Sequence, residues 1–200
     1  MAGAPGSGKS TAIKELGLSN MNVINPDDFY EPALERAGLG KNITKVKDDY
    51  MDARDKLIAA LEIDTEEKIK HDEIENLYAQ AEQNSNLKSL KKAYDQTRDK
   101  VVQQAKIFNQ ARRDAKSKQA EIVDSGESLI VDGTGGIFGQ IRNQKSDLED
   151  KGYKTAMVFV DIPLEVALDR QEKRLQAGGR SLPAKSVEKS WNAVSKNKDK

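Results

Sequence analysis

The 200-residue sequence contains no cysteine and a single histidine. Without thiols the chain has no disulfide framework, no cysteine nucleophile and no cysteine-based zinc site. Basic and acidic residues number 33 each, so a formal net charge of zero gives no strong signal for nucleic-acid binding. No apolar run approaches the roughly 18 residues that cross a bilayer, so we expect a soluble, cytoplasmic protein without a membrane partner.

Hydrophobic residues make up only 36% of the chain, and their shortage is concentrated in residues 41–124. There, apolar positions recur every three or four residues, which predicts amphipathic helices in antiparallel hairpins, one of them long. A capping-box pattern at residues 64–67 predicts another helix start, and His71 is assigned only a surface position on a helix. The helical stripes contain Val46, Tyr50, Ala53, Leu57 and Leu61, then Leu90, Tyr94, Thr97, Val101, Gln104, Phe108, Ala111, Ala115, Lys118 and Ile122.

The flanking segments alternate short apolar runs, rich in β-branched residues, with helix patterns. This alternation predicts a three-layer α/β fold around a parallel sheet, formed by residues 1–40 and 125–200, with residues 41–124 as a helical insertion. Only two residues precede the first glycine and no strand follows the charged C-terminal stretch, so we expect a chain truncated at both ends. The predicted strands are 21–25, 129–132 and 156–161, and the predicted helices are 139–151, 163–176 and 185–194.

Residues 3–11 read GAPGSGKST and fit the pattern G-x-x-x-x-G-K-[ST] at the start of a predicted helix. The glycines let successive backbone N–H groups converge on phosphate oxygens. Lys9 is placed to reach the β- and γ-phosphates, and the Ser10 hydroxyl to bind Mg²⁺. The motif predicts a P-loop NTPase fold that binds ATP or GTP with Mg²⁺. The candidate nucleotide-binding residues are Gly3, Pro5, Gly6, Ser7, Gly8, Lys9, Ser10 and Thr11.

Two adjacent aspartates, Asp27 and Asp28, follow the first predicted strand. Ligands of open α/β sheets bind at the carboxyl ends of the strands. Phosphoryl transfer to a hydroxyl requires a group that accepts the hydroxyl proton, and either aspartate can serve. The alternative is that they form a turn or a helix cap, with Asp28 as the N-cap of a helix beginning near Phe29.

A third carboxylate, Asp132, ends the apolar run at residues 129–132. This position is typical of the acidic residue that orients Mg²⁺, so Asp132 and Ser10 are the candidate metal ligands. Asp161 ends the next predicted strand and competes for the same role. Because Asp161 is followed by Ile162 and Pro163, which start a helix, helix capping explains it better.

Three arginines form the last candidate group. Arg170 and Arg174 lie four residues apart on one helix face, and Arg180 follows a Gly-Gly pair. Arginines on a mobile helix and loop can neutralise the charge that spreads over a transferred phosphoryl group. The alternative is a solvated basic face paired with neighbouring acidic residues.

Four motifs in order, GAPGSGKST, INPDDF, LIVDGTG and DIPLEVALDRQEKRLQAGGRSLP, resemble the zeta-toxin and polynucleotide-kinase branch of the P-loop kinases. The resemblance covers residues 1–36 and 125–200. It implies that Asp27 is the base that activates the acceptor hydroxyl. It also implies that Arg170, Arg174 and Arg180 face the phosphates. With Lys9, these four residues are the candidate catalytic residues.

The sequence departs from that family at three points. Tyr30 stands where many members place an arginine that grips the acceptor, so the acceptor substrate is unknown. The insertion at residues 41–124 is longer and more polar than the usual connection. Both flanking strands of the expected sheet are missing.

The leading hypothesis is a kinase that transfers the γ-phosphate to a hydroxyl of a nucleotide-sugar, a small molecule or a nucleic-acid end. A second hypothesis is a P-loop ATPase that acts on a protein partner through residues 41–124, and a third is a degenerate nucleotide-binding fragment. The pairing of Asp27 with an arginine lid favours the kinase, because an ATPase needs no acceptor pocket.

Overall fold

The computed structural model describes residues 1–63, 69–81, 84–180 and 182–198, and in these ranges the chain forms eight α-helices and two β-strands. The fold is mixed α/β and mostly helical. The capping-box pattern at residues 64–67 lies outside the described residues. The helices are α1 (Lys9–Glu15), α2 (Pro26–Arg36), α3 (Ile43–Ala60), α4 (His71–Gln80), α5 (Ser85–Asp124), α6 (Phe138–Asp150), α7 (Leu164–Gln176) and α8 (Ala184–Ser195), and the strands are β1 (Asn22–Ile24) and β2 (Leu129–Val131).

The chain divides into two compact units. One comprises Met1–Asn42 and Ile107–Lys200, and the other comprises Ile43–Lys106. Helix α5 contributes its first part to the second unit and its residues from Ile107 onward to the first. None of the helices in the described ranges has the length and apolar character of a membrane span.

A small parallel sheet positions the site in the first unit. Strands β1 and β2 pair in parallel, with Val23 opposite Ile130. Single-residue parallel bridges from Ala2 to Gly133 and to Phe159 extend this arrangement beyond β2. The third predicted strand, at residues 156–161, is therefore wrong as a continuous strand. Its pairing is confined to the backbone around Ala2, which accepts from Val160 N–H at 2.8 Å, and a continuous strand needs a longer run of paired residues.

The helices after β2 confirm the expectation from sequence within one or two residues. Helix α6 ends before Gly152, which adopts a left-handed φ of 86°. Helix α7 follows Pro163, and α8 follows Pro183. The Trp191 indole N–H donates to Ile162 O at 2.8 Å, so α8 is tied to the segment that leads into α7.

The last part of α5 belongs to the core of the first unit. Ala115 and Ile122 are buried together with Ile24 of β1. The Tyr153 hydroxyl donates to Val123 O at 3.2 Å, near the end of the same helix. In this part of α5, Ala115 and Ile122 of the apolar stripe therefore pack against the sheet. Phe108 and Lys118 of the same stripe are exposed.

The second unit has a core of its own. Five buried side chains from α3, α4 and the first part of α5 form it, and Tyr50 packs against them. His71 Nδ1 lies 2.9 Å from the Tyr94 hydroxyl, so the histidine is partly buried rather than a free surface residue. The five buried side chains are Leu57, Ile58, Ile74, Leu87 and Tyr94.

Replacing Ile122 with alanine is expected to lower the free energy of unfolding of the first unit by about 2–5 kcal/mol, because it removes a buried side chain packed against β1. Trp191 is the only tryptophan and lies in that unit, so urea denaturation followed by its fluorescence measures the change. Lys116→Ala on the same helix is the control, since Lys116 is exposed and lies in the same unit as Ile122. Equal effects from both substitutions would contradict this packing role.

Candidate nucleotide-binding site

The glycine-rich loop has the geometry of a phosphate-binding turn. Gly8 is the N-cap of α1 with a left-handed φ of 92°, which strains any residue that carries a Cβ. A Cβ at Gly8 would also lie 2.9 Å from Arg170 Nη1. Ser7 of the loop is buried, and its N–H donates to Ala4 O at 3.0 Å. The residues that follow, Ser10 and Thr11, are exposed in the first turn of α1 and open to a ligand.

Lys9 lies across this loop. Its ammonium donates to Gly3 O at 3.1 Å and lies 3.9 Å from Asp132 Oδ1. Burial lowers the pKa of Lys9, although Asp132 and Asp27 oppose the shift by attracting its charge. A buried ammonium with one loose ion pair is suited to an additional anionic partner such as a triphosphate.

Asp132 follows β2 and is buried beside Lys9. Asn25 Nδ2 donates to its Oδ2 at 3.0 Å, whereas its Oδ1 has no hydrogen-bond partner in the described ranges. Burial raises the pKa of Asp132, and the attraction of Lys9 only partly offsets this. This buried oxygen, which accepts no hydrogen bond in the described ranges, fits a Mg²⁺ ion or its bound water, which supports Asp132 as a candidate metal residue. In the described ranges, no group of three or more His, Cys, Asp or Glu residues forms an all-protein metal site.

Asn25 is a site residue that the sequence reasoning missed. Its Oδ1 accepts from the Asp27 N–H at 2.9 Å and caps α2, while its amide group holds Asp132. The expectation that Asp28 is the N-cap is therefore wrong, because α2 already begins at Pro26. An Asn directly before a Pro at a strand end is the sequence signal that could have found this cap.

Asp161 also has a different role from the expected one. The N-cap of α7 is Pro163 without a side-chain cap, and Asp161 instead pairs with Lys198 at 2.8 Å. The capping interpretation of Asp161 is wrong, because two residues separate it from the start of α7. Asp132 is the carboxylate that lies beside Lys9.

Asp27 and Asp28 lie in the first turn of α2, at the carboxyl end of β1. The Asp27 carboxylate forms an ion pair with Arg180. Burial, together with the neighbouring charges of Asp27 and Glu31, raises the pKa of Asp28. The two aspartates therefore differ in partners, and Asp27 is the one in contact with an arginine.

Each of the three candidate arginines contacts a group in the same unit, and Arg174 and Arg180 share Glu31. Arg170 Nη1 donates to Gly6 O at 3.3 Å and to Ser7 O at 3.1 Å, so it lies against the phosphate loop. Arg174 Nη2 lies 2.6 Å from Glu31 Oε1. These contacts argue against a purely solvated basic face.

Tyr30 and Glu31 are two further residues of this region that the sequence did not reveal as partners of the arginines. The Tyr30 ring is buried, lies 5.9 Å from the Arg180 guanidinium and meets Phe108 edge-on at 5.3 Å. Tyr30 therefore lies beside the Arg180 guanidinium.

A comparison with protein families agrees with this geometry, since the model of the AAA domain family matches residues 1–195. The chain belongs to the AAA domain family. No curated protein and no solved structure matches it. Membership and geometry together make this AAA domain a P-loop nucleotide-binding domain of a type that binds nucleotide with Mg²⁺.

Replacing Asp132 with asparagine is expected to stabilise the nucleotide-free AAA domain near neutral pH and to weaken its Mg²⁺-dependent nucleotide affinity by about 10–100-fold. A carboxyl group whose pKa is raised in the folded state costs stability when it is ionised, and this cost disappears as pH falls through the raised pKa. The stabilising effect should therefore fade in acid.

Thermal unfolding between about pH 4 and about pH 8, without Mg²⁺, measures the stability, and calorimetric titration measures the affinity. Asp161→Asn is the matched control, because Asp161 is an exposed carboxylate paired with Lys198. A destabilised Asp132→Asn variant at neutral pH would contradict the expectation.

Proposed function

We propose that this AAA domain is a kinase, similar to zeta toxins and polynucleotide kinases, with a three-layer α/β core. It transfers the γ-phosphate of ATP or GTP to a hydroxyl group. The observation that carries the proposal is the ion pair between Asp27 and Arg180, at the carboxyl end of β1 in the unit that holds the phosphate loop. A base candidate in contact with a lid arginine supports transfer to an acceptor more than hydrolysis.

In the proposed reaction the acceptor oxygen attacks the γ-phosphorus, and its proton passes to the Asp27 carboxylate. The bond from the γ-phosphorus to the bridging oxygen breaks, and the nucleoside diphosphate leaves with that oxygen. Lys9 stabilises the charge on the β- and γ-phosphate oxygens. Ser10 and Asp132 would hold Mg²⁺, which would neutralise part of the charge on the phosphate oxygens.

The arginines complete the site. Arg170 is already fixed on the carbonyl oxygens of Gly6 and Ser7, where it neutralises charge at the phosphate loop. Arg180 contacts one of the two carboxylate oxygens of Asp27 in the nucleotide-free structure. In the proposed reaction, Arg180 exchanges this contact for one with the transferred phosphoryl group when both substrates are bound.

The experiment that tests the proposal is incubation with γ-³²P-labelled ATP or GTP and a panel of hydroxyl acceptors. The panel includes UDP-N-acetylglucosamine and 5′-hydroxyl oligonucleotides. Transfer of label to one acceptor, lost in Asp27→Asn, supports a kinase. Release of inorganic phosphate at the same rate with and without every acceptor would favour a P-loop ATPase instead.

A further inference from the structure

Glu31 lies one helical turn after Asp27 on α2, so both carboxylates project from the same face of the helix. Glu31 Oε1 lies 2.6 Å from Arg174 Nη2 and 3.5 Å from Arg180 Nε. One carboxylate oxygen therefore serves two of the three candidate arginines. The side chains of Glu31 and Arg180 are only 20% and 12% exposed.

The chain after α7 is folded so that these two arginines meet. Gly178 adopts a left-handed φ of 74°, and the Gly179 N–H donates to Arg174 O at 2.9 Å. This turn brings Arg180 back beside the end of α7. Two guanidinium groups close together repel each other, and a carboxylate between them removes that repulsion.

Arg180 is held from three sides. Its Nη2 contacts Asp27, its Nε faces Glu31, and its Cζ lies over the Tyr30 ring, 5.9 Å from the ring centroid. An ion pair that is largely buried and supported by an aromatic ring is more strongly oriented than an exposed pair. The matching carboxylate one turn further on, Glu35, instead pairs with Lys41 and is largely exposed.

We propose that Glu31 is a positioning residue that holds Arg174 and Arg180 in the orientation that the phosphoryl transfer requires. When the acceptor takes the place of Arg180 at Asp27, the Nε side of the guanidinium stays on Glu31 and the Nη side turns to the transferred phosphoryl group. This inference rests on the proposed function, because the transferred phosphoryl group is the proposed target of the two arginines. The contacts of Glu31 with Arg174 and Arg180 are present without substrate.

The first test needs no catalytic activity. Trypsin cleaves after arginine when the chain opens locally, so the rates of cleavage after Arg174 and Arg180 report how firmly Glu31 holds this segment. Mass spectrometry of the fragments should show cleavage at both arginines about tenfold faster in Glu31→Gln than in the wild type, and unchanged in Glu35→Gln. Equal rates in Glu31→Gln and wild type, or faster cleavage in both variants, would overturn the proposal.

The second test separates positioning from binding. Glu31→Gln should lower kcat for nucleotide turnover by about 10–100-fold and leave KM for the nucleotide within about threefold, because misplaced groups cost rate rather than affinity. Glu31→Asp should restore part of kcat, since it keeps the charge on a shorter side chain. A rise in KM of about 10–100-fold with unchanged kcat would instead assign Glu31 to nucleotide binding, and it would overturn the proposed positioning role.

The two tests fail in different ways. If no phosphoryl acceptor is found but the cleavage rates change as expected, the proposed function fails while Glu31 still holds the arginines. If transfer is found but Glu31→Gln leaves both cleavage and kcat unchanged, only the inference about Glu31 fails.

Discussion

Lys9→Met is expected to reduce nucleotide turnover by about 10²–10³-fold, with a similarly large loss of triphosphate affinity. The ammonium of Lys9 lies across the phosphate loop, 3.1 Å from Gly3 O. Its burial lowers the pKa, so the ion is poorly solvated before nucleotide binds, and a triphosphate supplies the missing counter-charge. Methionine keeps the apolar stem of the side chain and removes only the charge.

Calorimetric titration with ATP and a phosphate-release assay measure the two effects. Lys14→Met is the control, because Lys14 is exposed in the last turn of the same helix. Thermal unfolding of Lys9→Met separates loss of binding from loss of structure, since Asp132 loses its neighbouring cation in this variant. A folded Lys9→Met protein that binds ATP with wild-type affinity would contradict the interpretation of residues 3–11 as a phosphate-binding loop.

The parts of the site that could be predicted from the sequence are those set by local spacing. The loop and the start of α1 follow from glycines and a lysine within nine residues. The positions of Asp27 and Asp132 at strand ends follow from short apolar runs, because parallel strands end at the same edge of a sheet. The match to the AAA domain family over residues 1–195 agrees with the prediction of a P-loop nucleotide-binding domain.

The contacts that could not be predicted join residues far apart in the chain. Glu31 and Arg174 are separated by 143 positions, and no local pattern selects Glu31 over Glu35 as the partner of an arginine. Likewise, the polar composition of α5 concealed that Ala115 and Ile122 pack on β1. A stripe of small apolar residues looks the same whether it faces another helix or a sheet.

The assignments of Asp28 and Asp161 failed for a different reason. Both assignments depend on the residue at which a helix begins, and the local sequence defines that boundary less sharply than it defines the helix itself. The caps are Asn25 and Pro163 instead. The error affects the stability role of Asp28, whereas the choice of Asp27 as base rests on its position after β1 and on its contact with Arg180.

Asp27→Asn is expected to lower phosphoryl transfer to the acceptor by about 10²–10⁴-fold while nucleotide affinity stays within about threefold. The amide cannot accept the acceptor proton, but it can still receive a hydrogen bond from Arg180. The nucleotide contacts of Lys9 and Arg170 do not depend on this carboxylate. The substitution should therefore lower the rate of phosphoryl transfer without a matching loss of nucleotide affinity.

Single-turnover transfer of label from γ-³²P-ATP measures the rate, and titration with a fluorescent nucleotide measures the affinity. Asp28→Asn is the matched control, because the acidic partners of Arg180 in the described part of the chain are Asp27 and Glu31 rather than the neighbouring Asp28. Burial already raises the pKa of Asp28, so its neutral form is tolerated and the substitution should change transfer by less than about threefold.

Asp27 also holds Arg180, so a slow Asp27→Asn variant could reflect a misplaced arginine instead of a missing base. The dependence of transfer rate on pH separates the two explanations. Loss of a general base removes the fall in rate on the acid side, whereas loss of arginine positioning lowers the rate at every pH and keeps that fall. If Asp27→Asn keeps the acid limb, or transfers phosphate as fast as the wild type, Asp27 is not the base.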